Sequence, residues 1–358
     1  MKKVLVIYHR EDNDGVCSAG IVQAWLTRFP VINNTVYKPE DFEFYGVNYA
    51  DLSADWDELV EWVRNPFDKK PRMAKWEKFE AVFMVDISFN SVDAMNHMYK
   101  TFGQNLHWCD HHAPIIKASE TEEFRNAPGV RRTDQSALMN TWDYLADHLA
   151  VVRQTSQKIE VSSYLRKLSD YDSWAWAKMD EYTTEAAQEN LFSFNAGVTR
   201  KSNLKVSWFS NWVGAWLDNG VQHSDIALDA FEYGQIVFQL DKERTARAIN
   251  THGDTGWRIG GNEQDPNPRK ACAIITTDRF NSQSFAKFRG TDITNGIVFK
   301  VDAANDKVVM SLYNVNEDDS FDCGVFCKNH YMGGGHKGAA GATIGREAFA
   351  QMFLNKYI

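Results

Sequence analysis

The sequence lacks any long hydrophobic run, so it contains no candidate for a membrane-spanning helix. Such a helix needs about 18 or more consecutive apolar residues, whereas the run over residues 4–8 has only five. It follows two lysines but is too short for a signal peptide, and it is typical of a buried strand. The content of 44% apolar and 24% charged residues is that of a soluble globular protein.

Cysteine is also scarce, and the few cysteines do not form the pattern of a disulfide framework. The five cysteines are odd in number and most lie far apart, which favours a reducing, cytoplasmic location. Cys323 and Cys327 are four residues apart, which differs from the spacing of a zinc ribbon. We therefore expect neither disulfides nor a structural zinc site.

Positive charge is in deficit, with 39 lysine and arginine residues against 48 acidic residues and a formal net charge of −9. Proteins that wrap long duplex DNA carry a large basic surface, so the sequence argues against that class. A short nucleotide substrate remains compatible, because a bound dication reverses the charge of a site locally. The sequence also has no internal repeat or low-complexity tract, and its 358 residues suffice for two domains.

Predicted strands and helices alternate in the first half of the chain, which is the pattern of an α/β fold with a parallel sheet. Strands are predicted over residues 4–8, 42–49, 81–85 and 106–109. Helices are predicted over residues 16–29, 52–64, 91–102, 136–149 and 161–168. Residues 69–78 are expected to form an exposed insertion and residues 113–134 a polar loop.

Carboxylates and histidines directly follow three of these strands. They are His9, Asp12, Asp14, Asp86, Asp110, His111 and His112. Because the carboxyl ends of parallel strands meet at one edge of a sheet, we expect these side chains to converge. Asp12 or Asn13 would serve equally well as the cap of the following helix. Convergence with histidines, however, favours a metal site.

A further acidic pair, Asp170 and Asp172, follows the helix predicted over residues 161–168. It either caps the next helix or supplies the last carboxylate of the site. Four carboxylates in one pocket would repel each other unless cations were bound. Two divalent ions that share one carboxylate remove this repulsion, activate water and stabilise a leaving oxygen at phosphorus. Histidine and carboxylate ligands without thiolate favour Mn²⁺, with Mg²⁺ as the alternative.

The second half of the chain is predicted to be mainly helical over residues 180–258, with its longest helix at 226–249. A β-rich region follows, with strands at 271–276, 296–301 and 307–313, and it closes with the sequence GGGHKGAAGA at 333–342. Closely spaced glycines allow the backbone amides to approach an anion, and His336 and Lys337 add donors. A flexible turn or a close strand–helix crossing is the alternative.

Together these motifs resemble those of the DHH phosphoesterase family. The closer match is the subfamily with a glycine-rich DHH-associated C-terminal domain, which includes nanoRNases, cyclic-dinucleotide phosphodiesterases and RecJ-type exonucleases. The motifs that carry the resemblance are His9-x-x-Asp12-x-Asp14-Gly15, Asp86, Asp110-His111-His112, Asp170 and residues 333–342. The resemblance implies an N-terminal parallel-sheet DHH domain at 1–185, a helical connector at 186–258 and a smaller α/β substrate-binding domain at 259–358.

The resemblance also implies two metal-binding sets. One Mn²⁺ would be held by His9, Asp12 and Asp86. The other would be held by Asp14, Asp86, His111 and Asp170, so Asp86 would bridge the two ions. At this last position Asp172 is the alternative to Asp170.

Further roles follow from the same resemblance. His112 would lie near the scissile phosphate and assist the leaving group, and Asp110 would orient its neighbours. A clamp for the substrate phosphate would be formed by Gly334, Gly335, His336 and Lys337. The sequence departs from the family pattern at Tyr313, where an arginine usually follows Ser-Leu.

The sequence therefore predicts a Mn²⁺-dependent phosphodiesterase that trims short single-stranded oligonucleotides to mononucleotides by a two-metal mechanism. Two other enzymatic functions use the same chemistry: hydrolysis of cyclic or linear dinucleotides or of a 3′-phosphoadenosine-type nucleotide, and digestion of long single strands. A catalytically silent nucleotide binder is the non-enzymatic alternative. No membrane partner is expected, and the preference for RNA or DNA, the cleavage polarity and the oligomeric state stay open.

Overall fold

The computed structural model describes residues 3–48, 79–89, 91–152, 159–219, 224–260, 268–277, 280–302, 306–316, 321–331 and 333–358. The chain divides into two compact units, Met1–Val237 and Phe238–Ile358. The three-part division expected from the sequence stays a prediction. Among the described residues, no helix combines the length and the apolar character that crossing a bilayer requires.

The first unit contains a parallel four-stranded sheet in the order β2-β1-β3-β4. Its strands are β1 (Val4–His9), β2 (Phe42–Val47), β3 (Ala81–Val85) and β4 (Leu106–Cys109). Alternate residues of β1 point to opposite faces, so Val4 and Val6 join one hydrophobic cluster and Leu5 and Ile7 join another. Burial on both faces explains why β3 is a continuous apolar run, and in β4 even His107 is buried.

Helices cover both faces of this sheet. The helices of the first unit are α1 (Asn13–Leu26), α2 (Val92–Phe102), α3 (Ala113–Ser119), α4 (Ala137–Val152), α5 (Ser163–Asp172), α6 (Glu185–Ser202) and α7 (Val206–Asn219). A further helix, α8 (Ser224–His252), begins in the first unit and ends in the second. Several begin at side chains that accept a hydrogen bond from the first turn, including Ser91 for α2, Ser162 for α5 and Thr184 for α6. Asp12 caps α1 in the same way.

One sequence-based assignment in the first unit is wrong. Residues 113–134 form α3 and a short 3₁₀ turn, Glu123–Asn126, rather than a continuous loop. Buried Ile115 and Phe124 anchor this segment, and the Phe124 ring lies 5.6 Å from that of Trp108. The stretch predicted to be mainly helical, 180–258, is helical as far as His252, and its last residues begin the strand Asp254–Ile259. The predictions for residues 52–64 and 69–78 lie outside the described residues.

The second unit contains a six-stranded sheet in the order β5-β6-β7-β8-β10-β9. Among the described strand pairs of this second sheet, only β6–β7 is parallel. The strands are β5 (Asp254–Ile259), β6 (Arg269–Ile275), β7 (Ile293–Asp302), β8 (Lys307–Asn314), β9 (Gly334–Gly335) and β10 (Ala339–Gly345). Two helices that the sequence did not predict, α9 (Cys323–Tyr331) and α10 (Arg346–Asn355), complete the unit.

Helices α6 and α8 approach each other closely at two glycines. A Cβ atom built on Gly197 would lie 1.7 Å from the carbonyl oxygen of Ala230, and one on Gly234 would lie 1.9 Å from that of Ser193. Both neighbouring atoms belong to the helix backbone, so they cannot move aside as a side chain could. The two glycines therefore set the distance between α6 and α8.

We predict that Gly197→Ala destabilises the protein, although alanine favours a helix over glycine by about 1 kcal/mol. The added methyl group must push two helix backbones apart, and such overpacking costs about 1–3 kcal/mol beyond that gain. A lower thermal unfolding midpoint would show this. Gly345→Ala is the control, because a Cβ there has no atom within 4 Å. Equal midpoints for the two variants would contradict the close approach.

Candidate active site

The carboxyl ends of β1, β3 and β4 bring two histidines to one carboxylate. His9 Nδ1 lies 3.5 Å from Asp86 Oδ2, and His111 Nε2 lies 3.3 Å from Asp86 Oδ1. His9 Nδ1 also lies 2.8 Å from Oδ2 of Asp12, whose Oδ1 accepts the hydrogen bond that caps α1. Asp12 therefore both caps the helix and contacts the cluster, so the two expectations for it do not exclude each other.

Asp86 has an unusual backbone conformation and a carboxyl group with a strongly shifted pKa. Its φ is +54°, a left-handed conformation that non-glycine residues seldom adopt, and its amide donates to the carbonyl of Cys109 in β4. Such strain is common at functional sites. The side chain is buried; burial raises the pKa of its carboxyl, but the imidazoles of His111 and His9 outweigh this and hold the pKa well below its usual range. Asp86 is therefore charged in the folded protein.

Asp14 is held by the start of α4. Its Oδ1 accepts the amide of Leu138 at 2.7 Å and its Oδ2 accepts the amide of Ala137 at 2.8 Å. The same Oδ2 lies 3.7 Å from His111 Nε2. Unpaired amides at a helix N-terminus favour an anion. Burial and the charge of Asp86 nevertheless raise the pKa of Asp14 to about 7.

Of the two acidic residues at the end of α5, the structure brings Asp172 to the cluster. Its Oδ2 lies 3.5 Å from His111 Nε2. Asp170 Oδ2 instead accepts a hydrogen bond of 2.9 Å from the hydroxyl of Tyr182. Positions two apart on an α-helix point about 200° apart, so only one of the pair can face the cluster. Of the two alternatives, the geometry therefore favours Asp172 over Asp170, and the ligand assignment stays a prediction.

Two carboxylate oxygens of the cluster are arranged as a cation site requires. Asp86 Oδ1 and Asp172 Oδ2 are buried, and neither accepts a hydrogen bond of good geometry from the described residues. Buried carboxylate oxygens without such partners are costly unless a cation is bound. Burial and the charge of Asp14 also raise the pKa of Asp172 well above its usual range. The crowding of acids fits bound cations.

The described residues of the first unit offer three overlapping sets of possible metal ligands. Within each set the ligand atoms lie within 4.8 Å of one another. The sets are His9, Asp12 and Asp86; Asp14, Asp86 and His111; and Asp86, Asp110 and His112. Asp86 belongs to all three, so it is the residue that can be shared between ions.

Asp110 orients the two histidines that follow it. Its Oδ1 accepts the amides of His111 and His112 at 2.8 and 3.3 Å, and it lies 2.7 Å from His112 Nδ1. Its Oδ2 accepts the indole N–H of Trp108 at 3.2 Å. Both oxygens are thus used within the loop that follows β4. Asp110 therefore engages His112 at Nδ1 and fixes the orientation of its ring.

The glycine-rich segment of the second unit forms a hairpin. Gly335 in β9 pairs with Ala340 in β10, and the amide of His336 donates to the carbonyl of Ala339 at 2.8 Å. Gly335 has a φ of +142°, which favours glycine, and a Cβ on Gly324 of α9 would lie 2.4 Å from its carbonyl oxygen. A close strand–helix approach thus explains part of the glycine content. Exposed Gly334 has no atom near its Cβ position.

Some contributors to the cluster were not identified from the sequence. The amides of Ala137 and Leu138 hold Asp14 although they lie 123 and 124 residues away. A helix start near residue 136 is readable from the sequence, but its position beside Asp14 depends on the packing of α4 against α1. The indole of Trp108 is another contributor whose partner only the fold reveals.

The fold is similar to that of a solved DHH domain that belongs to a member of a family of ribosomal proteins. The sequence identity is 14%, the match covers 99% of this chain and 86% of the other, and the TM-score is 0.53. The fold class predicted from the sequence, α/β with a parallel-sheet DHH-type domain and a smaller α/β C-terminal domain, is confirmed.

Two other solved structures also match over nearly the whole chain. A pGpG-specific phosphodiesterase from Vibrio cholerae has 12% identity, coverage of 99% and 97%, and a TM-score of 0.46. An exopolyphosphatase-related protein from Bacteroides fragilis has 12% identity, coverage of 99% and 91%, and a TM-score of 0.45. No protein-family model and no curated protein sequence matches the chain.

We predict that Asp172→Asn stabilises the metal-free protein at pH 8, because asparagine needs neither a bound proton nor a charge beside Asp14. The folded state holds the Asp172 proton to higher pH than the unfolded chain does. Wild-type stability should therefore fall as the pH rises above the unfolded pKa of about 4, and the variant should lose this component. Thermal midpoints measured in EDTA between pH 5 and pH 8 test this.

The same variant should lose most of the stabilisation that Mn²⁺ gives to the wild type. Asp170→Asn is the matched control and should keep it, because Asp170 faces Tyr182. Stabilisation by Mn²⁺ that survives in Asp172→Asn and disappears in Asp170→Asn would restore the original assignment.

Proposed function

We propose that this protein is a metal-dependent phosphodiesterase that hydrolyses short single-stranded oligonucleotides to mononucleotides, with Mn²⁺ as its cation. The observation that carries the proposal is the position of Asp86 between two histidines, shared by overlapping sets of ligands. The DHH-type fold supports it, because this fold is the one that the sequence motifs indicate.

The residues present fit two cations. One ion would be held by His9, Asp12 and Asp86, and the other by Asp14, Asp86, His111 and Asp172. When bound, such ions polarise a phosphate, favour deprotonation of water and stabilise a leaving oxygen. Oxygen and imidazole ligands without thiolate favour Mn²⁺, with Mg²⁺ as the second choice. Because the carboxylates repel one another, cations bound at these two sites would stabilise the folded protein.

His112 is the group proposed to handle a proton. Its Nδ1 is fixed by Asp110, so the ring can donate a proton from Nε2 to the oxygen that leaves when the phosphodiester bond breaks. The side chain is 22% exposed, whereas that of His111 is 3% exposed. Of the two adjacent histidines, His112 is therefore the one that substrate can reach, and His111 is the one suited to bind metal.

The hairpin of the second unit is the proposed clamp for a substrate phosphate. The backbone bonds between His336 and Ala339 hold the turn, so His336 and Lys337 project from a fixed frame. Gly334 adds exposed backbone without side-chain bulk. A clamp on a terminal phosphate favours short substrates, and the net charge of −9 also fits a short substrate better than a long polymer.

Asp86→Asn should abolish hydrolysis of RNA and DNA dinucleotides in the presence of Mn²⁺. Asparagine keeps the shape of the side chain and tolerates the left-handed backbone at this position, but it removes the charge that two ions would share. We expect a loss of about 100- to 1,000-fold in kcat, on the scale of a lost major electrostatic group. The thermal midpoint should also fall, because the charge of Asp86 pairs with His9 and His111.

The assay should compare substrates of two, five and twenty nucleotides with a cyclic dinucleotide. Mononucleotides released fastest from the dimers would support the proposal. Faster loss of the twenty-mers would indicate a long-strand exonuclease, and cleavage of the cyclic substrate alone would indicate a cyclic-dinucleotide phosphodiesterase. Absence of any Asp86-dependent turnover would indicate a nucleotide binder.

His336→Ala should raise KM for dinucleotides with a terminal phosphate more than it lowers kcat, because it removes a binding contact and leaves the metal cluster intact. The backbone bonds of the hairpin do not require the side chain, so the fold should be retained. Dinucleotides without the terminal phosphate are the matched substrates. An equal rise in KM for both substrates would show that His336 does not bind that phosphate.

A further inference from the structure

Behind the carboxylate cluster, α6 carries a polar side chain that joins two metal-binding segments. Asn13 lies between Asp12 and Asp14 in sequence, and its buried side chain points toward α6. Asn13 Nδ2 lies 2.8 Å from Asn195 Oδ1 and 2.8 Å from Thr199 Oγ1. It also contacts the carbonyl oxygen of Asn195 at 3.2 Å. The start of α1 is therefore anchored on α6.

The same asparagine reaches the other side of the cluster. The side chain of Asn195 lies close enough to the hydroxyl of Tyr171, the residue that precedes Asp172 in α5, to lower the pKa of that phenol, although burial has the larger effect and raises this pKa to about 12. The Tyr171 ring also packs edge-on against Phe192 of α6, with centroids 5.8 Å apart. Asn195 thus connects a neighbour of Asp14 with a neighbour of Asp172.

This connection opposes a force that the cluster itself creates. Asp14 Oδ2 and Asp172 Oδ2 lie 3.7 and 3.5 Å from the same nitrogen of His111. Without a cation between them, two carboxylates at such positions repel each other and would tend to separate. A site keeps its affinity for metal only when surrounding contacts hold the ligands at the required spacing.

We propose that Asn195 is a positioning residue that sets the spacing between Asp14 and Asp172 and thereby controls the metal affinity of the site. It acts through Asn13 and Tyr171 and is not itself a ligand. The inference rests on the proposed function and extends it, because it gives α6 a role in the active site. Loss of contacts around metal ligands typically weakens metal binding about 10- to 100-fold.

The test is titration of the protein with Mn²⁺ alone. Binding is measured by calorimetry and by the EPR signal of unbound Mn²⁺. Asn195→Ala should raise the dissociation constant about 10- to 100-fold. Tyr171→Phe, which keeps the ring packing on Phe192, should cause a smaller rise in the same direction. If Asn195→Ala does not fold, Tyr171→Phe still tests the proposal.

Ser202→Ala is the matched control on α6. Ser202 is buried and makes two local hydrogen bonds, to Thr199 and from Leu204. The control should lower the thermal midpoint without changing Mn²⁺ affinity. As a second readout, excess Mn²⁺ should restore kcat of Asn195→Ala, which it could not do if the variant were simply damaged.

The outcomes separate this inference from the proposed function. Wild-type protein that binds Mn²⁺ and hydrolyses dinucleotides, with unchanged affinity in both network variants, would overturn the positioning role alone. So would a loss of affinity in Ser202→Ala equal to that in Asn195→Ala. Wild-type protein without Mn²⁺ affinity or Asp86-dependent hydrolysis would overturn the proposed function, and the positioning role with it.

Discussion

Electrostatic repulsion among acidic side chains at one edge of the parallel sheet is the constraint on which the site depends. Asp14 and Asp86 are buried, Asp172 places a buried oxygen beside them, and all three surround the imidazole of His111. In a medium less polar than water such charges are costly unless they are paired. The pKa directions express this cost: burial and mutual repulsion raise the pKa values of Asp14 and Asp172.

The rest of the first unit supports this arrangement. The amides at the start of α4 hold Asp14, the loop after β4 directs Asp110 toward the two histidines, and Asn13 ties α1 to α6. Each of these contacts acts behind the side chains that face the cluster. The protein thus gives up folding stability to hold repelling groups together, which is expected of a site that works with bound cations.

Particular residues show which parts of the fold and of the site could be predicted from the sequence. The strand ends at His9, Asp86 and Asp110 were readable because buried parallel strands are continuous apolar runs, and polar residues mark where each run stops. The segment 113–134 was predicted to be a loop because its large buried side chains, Ile115 and Phe124, lie far apart within a largely polar sequence. Asp170 and Asp172 could not be distinguished, because the choice depends on the rotation of α5 against its neighbours.

The sequence by itself determined the alternation of strands and helices, the order of the motifs and the kinds of ligand available. These features follow from local periodicity and from side-chain chemistry, which depend only on residues that are close together in the sequence. Only the tertiary structure decided that Asp172 faces His111, that α4 holds Asp14 and that Asn195 of α6 binds Asn13 at the start of α1. Those contacts join residues that are distant in the chain, and they depend on how helices rotate and pack, which local sequence patterns do not specify.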